Sequence, residues 1–273
     1  MKIINTPTLQ QLTECLRKQL SDTQTEWFDN AIHDVQSDHD SQEPQLLLSA
    51  MASRNLTATG IPDLQDAWNT DEAARVILLQ TYIDSTQNSH YDAIWQAYRI
   101  GDEKEKAAYI KGLSILDPEG ELLDIALHTG RTNNVYLFSS IALNNPYPAK
   151  HYDNRAFEQL VLKALFLDLN INHIRSLPQR LRENLSNVCM DLVHERLAAD
   201  RNPPTSIWLA IDIRHLDDAS QTLYLKFLSD PVKEHRYYSL LALKQLEILD
   251  LYQTQLELRR KTETEPTILQ LLA

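Results

Sequence analysis

Five charged side chains in this sequence could bind a small anionic molecule, and two of them could also serve as general acids or bases. Arginine and lysine pair with carboxylates and phosphates, while histidine and glutamate can move protons at neutral pH. These candidates are Arg75, His151, Lys163, Glu195 and Arg196. If the five met in one concave pocket, the protein would be an enzyme acting on a small anionic metabolite.

Glu195 and Arg196 attract attention because helical periodicity places them beside an apolar stripe. At about 100° per residue, Glu195 follows Val188 by two turns and Arg196 follows Leu192 by one turn. A charged group on a buried helix face needs a partner. Two interpretations follow: a polar pocket near this helix end, or an ion-pair network that holds helices in register.

Arg75 raises the same question, because it lies in a stretch that is apolar on nearly every side. A buried arginine can clamp a carboxylate or phosphate with two parallel hydrogen bonds. It can equally bind Glu195 or a carbonyl at the end of a helix. Both interpretations remain open.

His151 precedes a predicted helix start on a loop that Pro146 and Pro148 stiffen. A helix N-terminus presents free N–H groups and attracts anions. With Lys163 further along the helix, this loop could receive an anionic small molecule. Alternatively it is a rigid connection in which Asp153 caps the helix.

Known catalytic and metal-binding motifs are missing from the sequence. His194-Glu195 resembles the start of a zinc-binding HExxH motif, but Ala198 stands where the second histidine belongs. Cys15 and Cys189 are far apart, and neither belongs to a CxxC pair. No GxSxG, Walker or GxGxxG pattern occurs. We therefore predict no metal and no cofactor.

The elements that must position these candidates are helices. The 273 residues include only 5 glycines, and leucine greatly outnumbers valine. Leucine, alanine, glutamate and lysine favour helices, whereas sheets favour β-branched residues. Apolar spacing and capping residues predict a helix after Thr6-Pro7, one after Asp153 or Asn154, and others at 22–35, 45–53, 71–83, 91–100, 102–116, 121–128, 133–143, 178–200, 206–211, 216–228 and 232–260.

The fold prediction is accordingly all-α. Helices joined by short connections favour an antiparallel array of the HEAT or armadillo type, an α-solenoid, with an irregular helical bundle as the alternative. The segment 144–148 is predicted to be non-helical because of its two prolines. We predict a single domain over 1–273, with an N-terminal helical extension at 1–55, a core at 70–210 and HEAT-like helices at 215–260.

The net charge of −12 argues against a nucleic-acid partner, since a phosphate backbone would be repelled. The sequence contains neither a secretory signal nor an apolar run of membrane-spanning length. Both cysteines fall inside helical patterns, which favours a reducing compartment. We therefore expect a cytoplasmic protein without a transmembrane segment.

Several stretches of the chain resemble the EboA family of bacterial proteins. They are DEAARV from Asp71, NNPYPAKHYD from Asn144, QLVLKALF from Gln159 and HERLAA from His194, and they cover about residues 70–210 in matching order. The first and last parts of the chain show no family motif. The resemblance implies a gene neighbourhood that includes a metal-dependent hydrolase, a membrane prenyltransferase, a dehydroquinate-synthase-like enzyme and a sugar-phosphate-isomerase-like enzyme. It implies no catalytic residues.

These observations lead to one functional hypothesis and one alternative. The hypothesis is an accessory or scaffold protein of a bacterial secondary-metabolite biosynthesis or precursor-transport pathway, which binds a pathway enzyme or an anionic intermediate. Its partners would be other proteins of the same cluster. The alternative is an enzyme of unrecognised type that uses the five candidates named above.

Overall fold

A computed structural model describes residues 7–64 and 68–273. Across these two ranges the chain is helical and has no β-strand; a lone bridge joins Gly60 and Asn69. The all-α prediction is confirmed. Abundant leucine and scarce β-branched residues favour this outcome, because unbranched side chains lose little rotamer freedom in a helix.

The chain divides into two compact units, the first ending at Tyr152 and the second beginning at Asp153. The prediction of a single domain stays a prediction. Helices of the first unit are α1 (Leu9–Arg17), α2 (Asp22–Ser37), α3 (Glu43–Asn55), α4 (Thr70–Ser85), α5 (His90–Ile100), α6 (Glu103–Lys111), α7 (Leu113–Leu116), α8 (Leu123–Gly130), α9 (Val135–Ala142) and α10 (Tyr147–His151).

Helix α4 is the centre of the first unit. It contacts α1, α2, α3, α5 and α6, and its side chains are buried on every face in the first three turns. A helix that is apolar on nearly every side is typically surrounded by other elements. The apolar residues around Arg75 in the sequence fit this central position. Packing around one central helix matches the bundle alternative for this unit, and the solenoid stays a prediction.

The second unit combines helices with 3₁₀ turns. Its α-helices are α11 (Asn154–Phe166), α12 (Glu183–Ala198), α13 (Asp218–Lys226), α14 (Lys233–Gln245), α15 (Gln253–Thr262) and α16 (Pro266–Leu272). The 3₁₀ turns are Ile171–His173, Pro178–Arg180, Thr205–Ala210, Ile213–His215, Phe227–Ser229 and Leu249–Tyr252. Helix α16 was not predicted, and segment 206–211 is a 3₁₀ turn where an α-helix was expected.

The starts of α1 and α10 differ from the prediction. Thr6 lies outside the described residues; Pro7 is not helical, and Thr8 caps α1 in a reciprocal pair of hydrogen bonds with Gln11. Segment 144–148 was predicted to be non-helical, yet α10 begins at Tyr147. This is possible because Pro148 lies in the first turn of α10, where a helix needs no N–H from the proline.

The long helix predicted from Pro178 begins instead at Glu183. Pro178–Arg180 forms a separate 3₁₀ turn, and the Arg180 guanidinium carbon lies 4.5 Å from the centre of the Phe157 ring. The same side chain donates a hydrogen bond to the Asp153 carbonyl at 3.1 Å. These contacts hold the turn against the start of α11, so the chain enters α12 later than proline alone suggests.

At three helix ends a residue other than glycine adopts the left-handed backbone conformation. Asp168, Asp200 and Glu247 follow α11, α12 and α14 with φ of 56°, 54° and 57°, the left-handed region that usually favours glycine. After α14, the Ile248 N–H donates to the Leu243 carbonyl, which closes a Schellman motif. The single helix predicted at 232–260 is therefore divided into α14, a 3₁₀ turn and α15.

Candidate functional site

Arg75 lies in α4 with 2% of its surface exposed, and each of its three guanidinium nitrogens donates a hydrogen bond inside the first unit. Nε donates to the Ser49 carbonyl at 3.1 Å, Nη1 to the Asp71 carboxylate at 2.7 Å, and Nη2 to the Ser53 hydroxyl at 2.7 Å. Burial would raise the pKa of Asp71, but hydrogen bonds from Ser53 and Arg75 outweigh it and lower this pKa. This geometry matches the ion-pair interpretation of Arg75.

A second ion pair lies at the start of the same helix. Lys111 donates to Glu72 at 2.7 Å, and its ammonium lies 5.1 Å from the centre of the Trp68 ring. Glu72 also accepts a hydrogen bond from the Asn69 N–H at 3.0 Å, which completes the cap of α4. The buried charges of α4 thus hold helices together.

His151 ends the short helix α10 and packs tightly. Its ring centre lies 4.5 Å from that of Tyr147, and a Cβ built on Gly120 would lie 2.3 Å from its Nδ1 atom. Its Nε2 atom is buried and has no hydrogen-bond partner among the described residues. Burial and the neighbouring Lys150 lower the pKa of the imidazole. His151 is therefore a neutral packing residue at pH 7 and brings no positive charge for an anion.

Lys163 and Glu195 line one groove in the second unit. The groove has a volume of about 580 Å³ and is formed by α11 and α12. Burial lowers the pKa of Lys163. The residues that line the groove are Leu162, Lys163, Phe166, Val188, Asp191, Leu192 and Glu195.

Exposed apolar side chains make this groove distinctive. Phe166 exposes 79% of its surface and Val188 exposes 37%, while Leu162 and Leu192 are half-buried between them. Large apolar side chains are usually removed from water in a folded protein, so a contiguous exposed set marks a binding surface. The groove lining thus combines four apolar side chains with the charged side chains of Lys163, Asp191 and Glu195.

Glu195 is exposed, which corrects the prediction that it flanks the buried stripe of its helix. The buried residues of α12 are Leu185, Ser186, Cys189, Met190 and Val193. The core face is rotated by one position from the predicted stripe through Val188 and Leu192. It is rotated because α12 carries more apolar residues than one core face needs, and periodicity alone cannot choose between two overlapping stripes.

Arg196 is half-buried and belongs to a different concavity from Glu195. This second concavity, of about 500 Å³, is lined by Leu165, Phe166, Asp168, Arg196, Asn202, Pro203, Pro204 and Thr205. Of the five predicted residues, Arg75 and His151 belong to the first unit and Lys163, Glu195 and Arg196 to the second. Lys163 and Glu195 share a groove.

The other lining residues of the groove were not among the five candidates; they are Leu162, Phe166, Val188, Asp191 and Leu192. A signal was present: Leu162 and Phe166 are one helical turn apart, as are Val188 and Leu192. Both pairs read as core positions, because apolar residues at that spacing are core positions in most helices.

Two further features bear on function. No helix in the described ranges has both the length and the apolar character that crossing a membrane requires. The same residues contain no group of three or more histidine, cysteine, aspartate or glutamate side chains able to hold a metal ion.

Comparison with known proteins shows the family. The profile of the family described as "Metabolite traffic protein EboA" matches residues 8–212. The match thus includes α1 to α3, where no family motif was recognised, as well as both helices of the groove. Searches of curated proteins and of solved structures gave no match. Since the family profile covers most of its length, the chain belongs to the EboA family of metabolite traffic proteins.

Proposed function

We propose that this protein is a non-catalytic accessory or scaffold protein of a bacterial secondary-metabolite biosynthesis or precursor-transport pathway. It binds a pathway protein or an intermediate in the groove between α11 and α12. The description of its family as metabolite traffic proteins supports this role. A cytoplasmic location, expected from two cysteines that each lie within a helix, is part of the proposal.

The exposure of Phe166 is the observation that carries the proposal. Covering apolar surface releases roughly 25 cal/mol per Å². An uncovered phenylalanine beside Val188 therefore leaves free energy available for a ligand or partner. Lys163, Asp191 and Glu195 line the same groove and supply polar contacts for orientation.

The geometry gives less support to the enzyme alternative. That alternative needs Arg75 and His151 to contact a substrate. The guanidinium of Arg75 is buried and donates to Ser49, Asp71 and Ser53, and the imidazole of His151 is packed against Tyr147. Arg75 is buried and the imidazole of His151 is neutral at pH 7, so neither side chain presents a positive charge to a substrate.

Co-purification with matched variants tests the proposal. Tagged wild-type protein should retain a protein of its gene cluster, or a small molecule detected by native mass spectrometry. Phe166→Ala should reduce retention roughly tenfold. Leu251→Ala is the control, because Leu251 is 66% exposed and lies outside the groove. Recovery of neither protein nor small molecule, or full retention by Phe166→Ala, would contradict the proposal.

A further inference from the structure

The groove between α11 and α12 has two apolar ridges. Leu162 and Phe166 form one ridge and Val188 and Leu192 the other, each pair separated by one helical turn. From Val188 to Glu195 the groove follows α12 for two turns, which is about 10 Å at 1.5 Å per residue. It is shallow and open to solvent along its length.

The α12 edge of the groove carries two carboxylates in an unfavourable arrangement. Asp191 and Glu195 are exposed and lie one turn apart, and neither side-chain carboxylate has a hydrogen-bond or ion-pair partner within residues 7–64 and 68–273. Like charges at this spacing repel each other. Lys163 adds one positive charge to the lining, so the groove carries a net charge of −1 in a chain whose net charge is −12. A positively charged occupant would relieve the repulsion.

We propose that this groove binds an amphipathic, basic α-helix of a partner protein. Apolar side chains on one face of that helix would contact Phe166 and Val188, and its lysines or arginines would lie beside Asp191 and Glu195. This inference rests on the proposed function and specifies its partner. Proteins recognise amphipathic helices by binding their apolar face, with anchors at i, i+3, i+4 and i+7, in a hydrophobic groove.

The same geometry disfavours two other occupants. A small metabolite is usually enclosed by its pocket and oriented by a few inward polar groups, whereas this groove is shallow and its carboxylates are exposed. A second copy of this chain would need a free basic helix. In α15, the most basic candidate, Arg259 is paired with Glu263 and Arg260 with the Leu272 carbonyl.

Peptide binding tests the proposal directly. The probe is a fluorescent helical peptide with leucines at i, i+3, i+4 and i+7 and lysines on the flank. One matched peptide carries glutamates in place of the lysines, and another has the same composition in scrambled order. We expect the basic amphipathic peptide alone to bind the full chain in fluorescence anisotropy, with affinity falling as salt is raised. Equal binding of the acidic peptide, or no binding of the basic one, would overturn the inference.

Variants of the protein locate the binding. Phe166→Ala should reduce the affinity for the basic peptide roughly tenfold. The double variant Asp191→Asn, Glu195→Gln should reduce this affinity about threefold and make it less dependent on salt. Leu251→Ala and Glu257→Gln, which change exposed residues of the second unit outside the groove, should leave the affinity unchanged. Because every substituted position is at the surface, circular dichroism should show wild-type folding throughout. Unchanged affinity in Phe166→Ala would overturn the inference.

A photoreactive phenylalanine analogue at position 166 separates this inference from the proposed function. Cross-linking in the native host, followed by mapping of the linked peptide, should identify a segment with helical apolar spacing and a net positive charge. Cross-linking to a small molecule would overturn the inference that a partner helix binds here, and it would leave the proposed function standing. Cross-linking to a second copy of the chain would also overturn it. No cross-link at all would count against both.

Discussion

The indole N–H of Trp208 donates a hydrogen bond of 2.9 Å to Nδ1 of His235 inside the second unit. Both side chains are buried, and the rings of Tyr224 and Phe227 pack against that of Trp208. Because Nδ1 accepts this hydrogen bond, the neutral ring carries its proton on Nε2. The burial that lowers the pKa of His235 outweighs the opposing effect of Asp230. The imidazole is neutral at pH 7.

This bond predicts a loss of stability in mild acid. A histidine whose pKa is lower in the folded state than its usual 6.5 stabilises the fold above that value. The contribution disappears as the pH falls through the folded-state pKa, since protonation of Nδ1 removes the acceptor for Trp208. Urea unfolding followed by tryptophan fluorescence should therefore give a lower free energy of unfolding at about pH 5.5 than at about pH 7.5.

His235→Asn provides the matching variant. The asparagine side-chain oxygen can take the place of Nδ1 but does not titrate, so the difference between the two pH values should shrink. His173→Asn is the control, because His173 is exposed in the same unit. If His235→Asn keeps the full pH dependence, another group is responsible for it.

The buried pair of Arg75 and Asp71 predicts a stability effect without a binding effect. Arg75→Met should lower the free energy of unfolding by about 3 to 5 kcal/mol, because it leaves the Asp71 carboxylate buried without its cation. Adding Asp71→Leu should recover much of this loss, since a buried ion pair can be replaced by apolar groups at little cost. Denaturant unfolding measures both variants.

The ligand-binding interpretation of Arg75 makes the opposite prediction. If Arg75 held an anionic metabolite, Arg75→Met would abolish retention of that metabolite and cost little stability. Native mass spectrometry of the variant, set beside its unfolding curve, distinguishes the two interpretations.

The approach of Gly120 to His151 predicts a strong effect of a single methyl group. Gly120 has φ of 86°, and an added Cβ would lie 2.3 Å from Nδ1 of His151. Gly120→Ala should therefore lower the free energy of unfolding by about 2 to 3 kcal/mol, through backbone strain and steric overlap. Gly60→Ala has open space around its Cβ and should be neutral or slightly stabilising. Equal melting temperatures for the two variants would contradict this prediction.

The left-handed residue after α14 predicts a stabilising substitution. Glu247 adopts φ of 57° without the conformational freedom of glycine. Glu247→Gly should raise the free energy of unfolding by about 0.5 to 1 kcal/mol. Glu257→Gly, in the interior of α15, should lower it by about 1 kcal/mol. Differential scanning calorimetry should show melting temperatures that shift in opposite directions.

Local chemistry predicted much of the first unit. Helix α5 was expected at 91–100 and is found at His90–Ile100, with Gly101 at its C-terminal end. The central position of α4 followed from its apolar residues on every face. Predictions were weakest where tertiary contacts compete with local preference, as at Pro178–Arg180, where the contact of Arg180 with Phe157 delays the start of α12.

By itself the sequence determined the helical class, most helix positions and the likeness to the EboA family, because these depend on composition, periodicity and residue order. Only the tertiary structure decided which face of α12 is buried. Val188 and Cys189 are adjacent and both apolar, and the neighbouring elements of the second unit cover Cys189 and leave Val188 exposed. Tertiary packing likewise leaves Phe166 exposed in the second unit and, in the first unit, surrounds Arg75 with Ser49, Ser53 and Asp71. Burial depends on what other segments bring to a residue, and no local pattern contains that information.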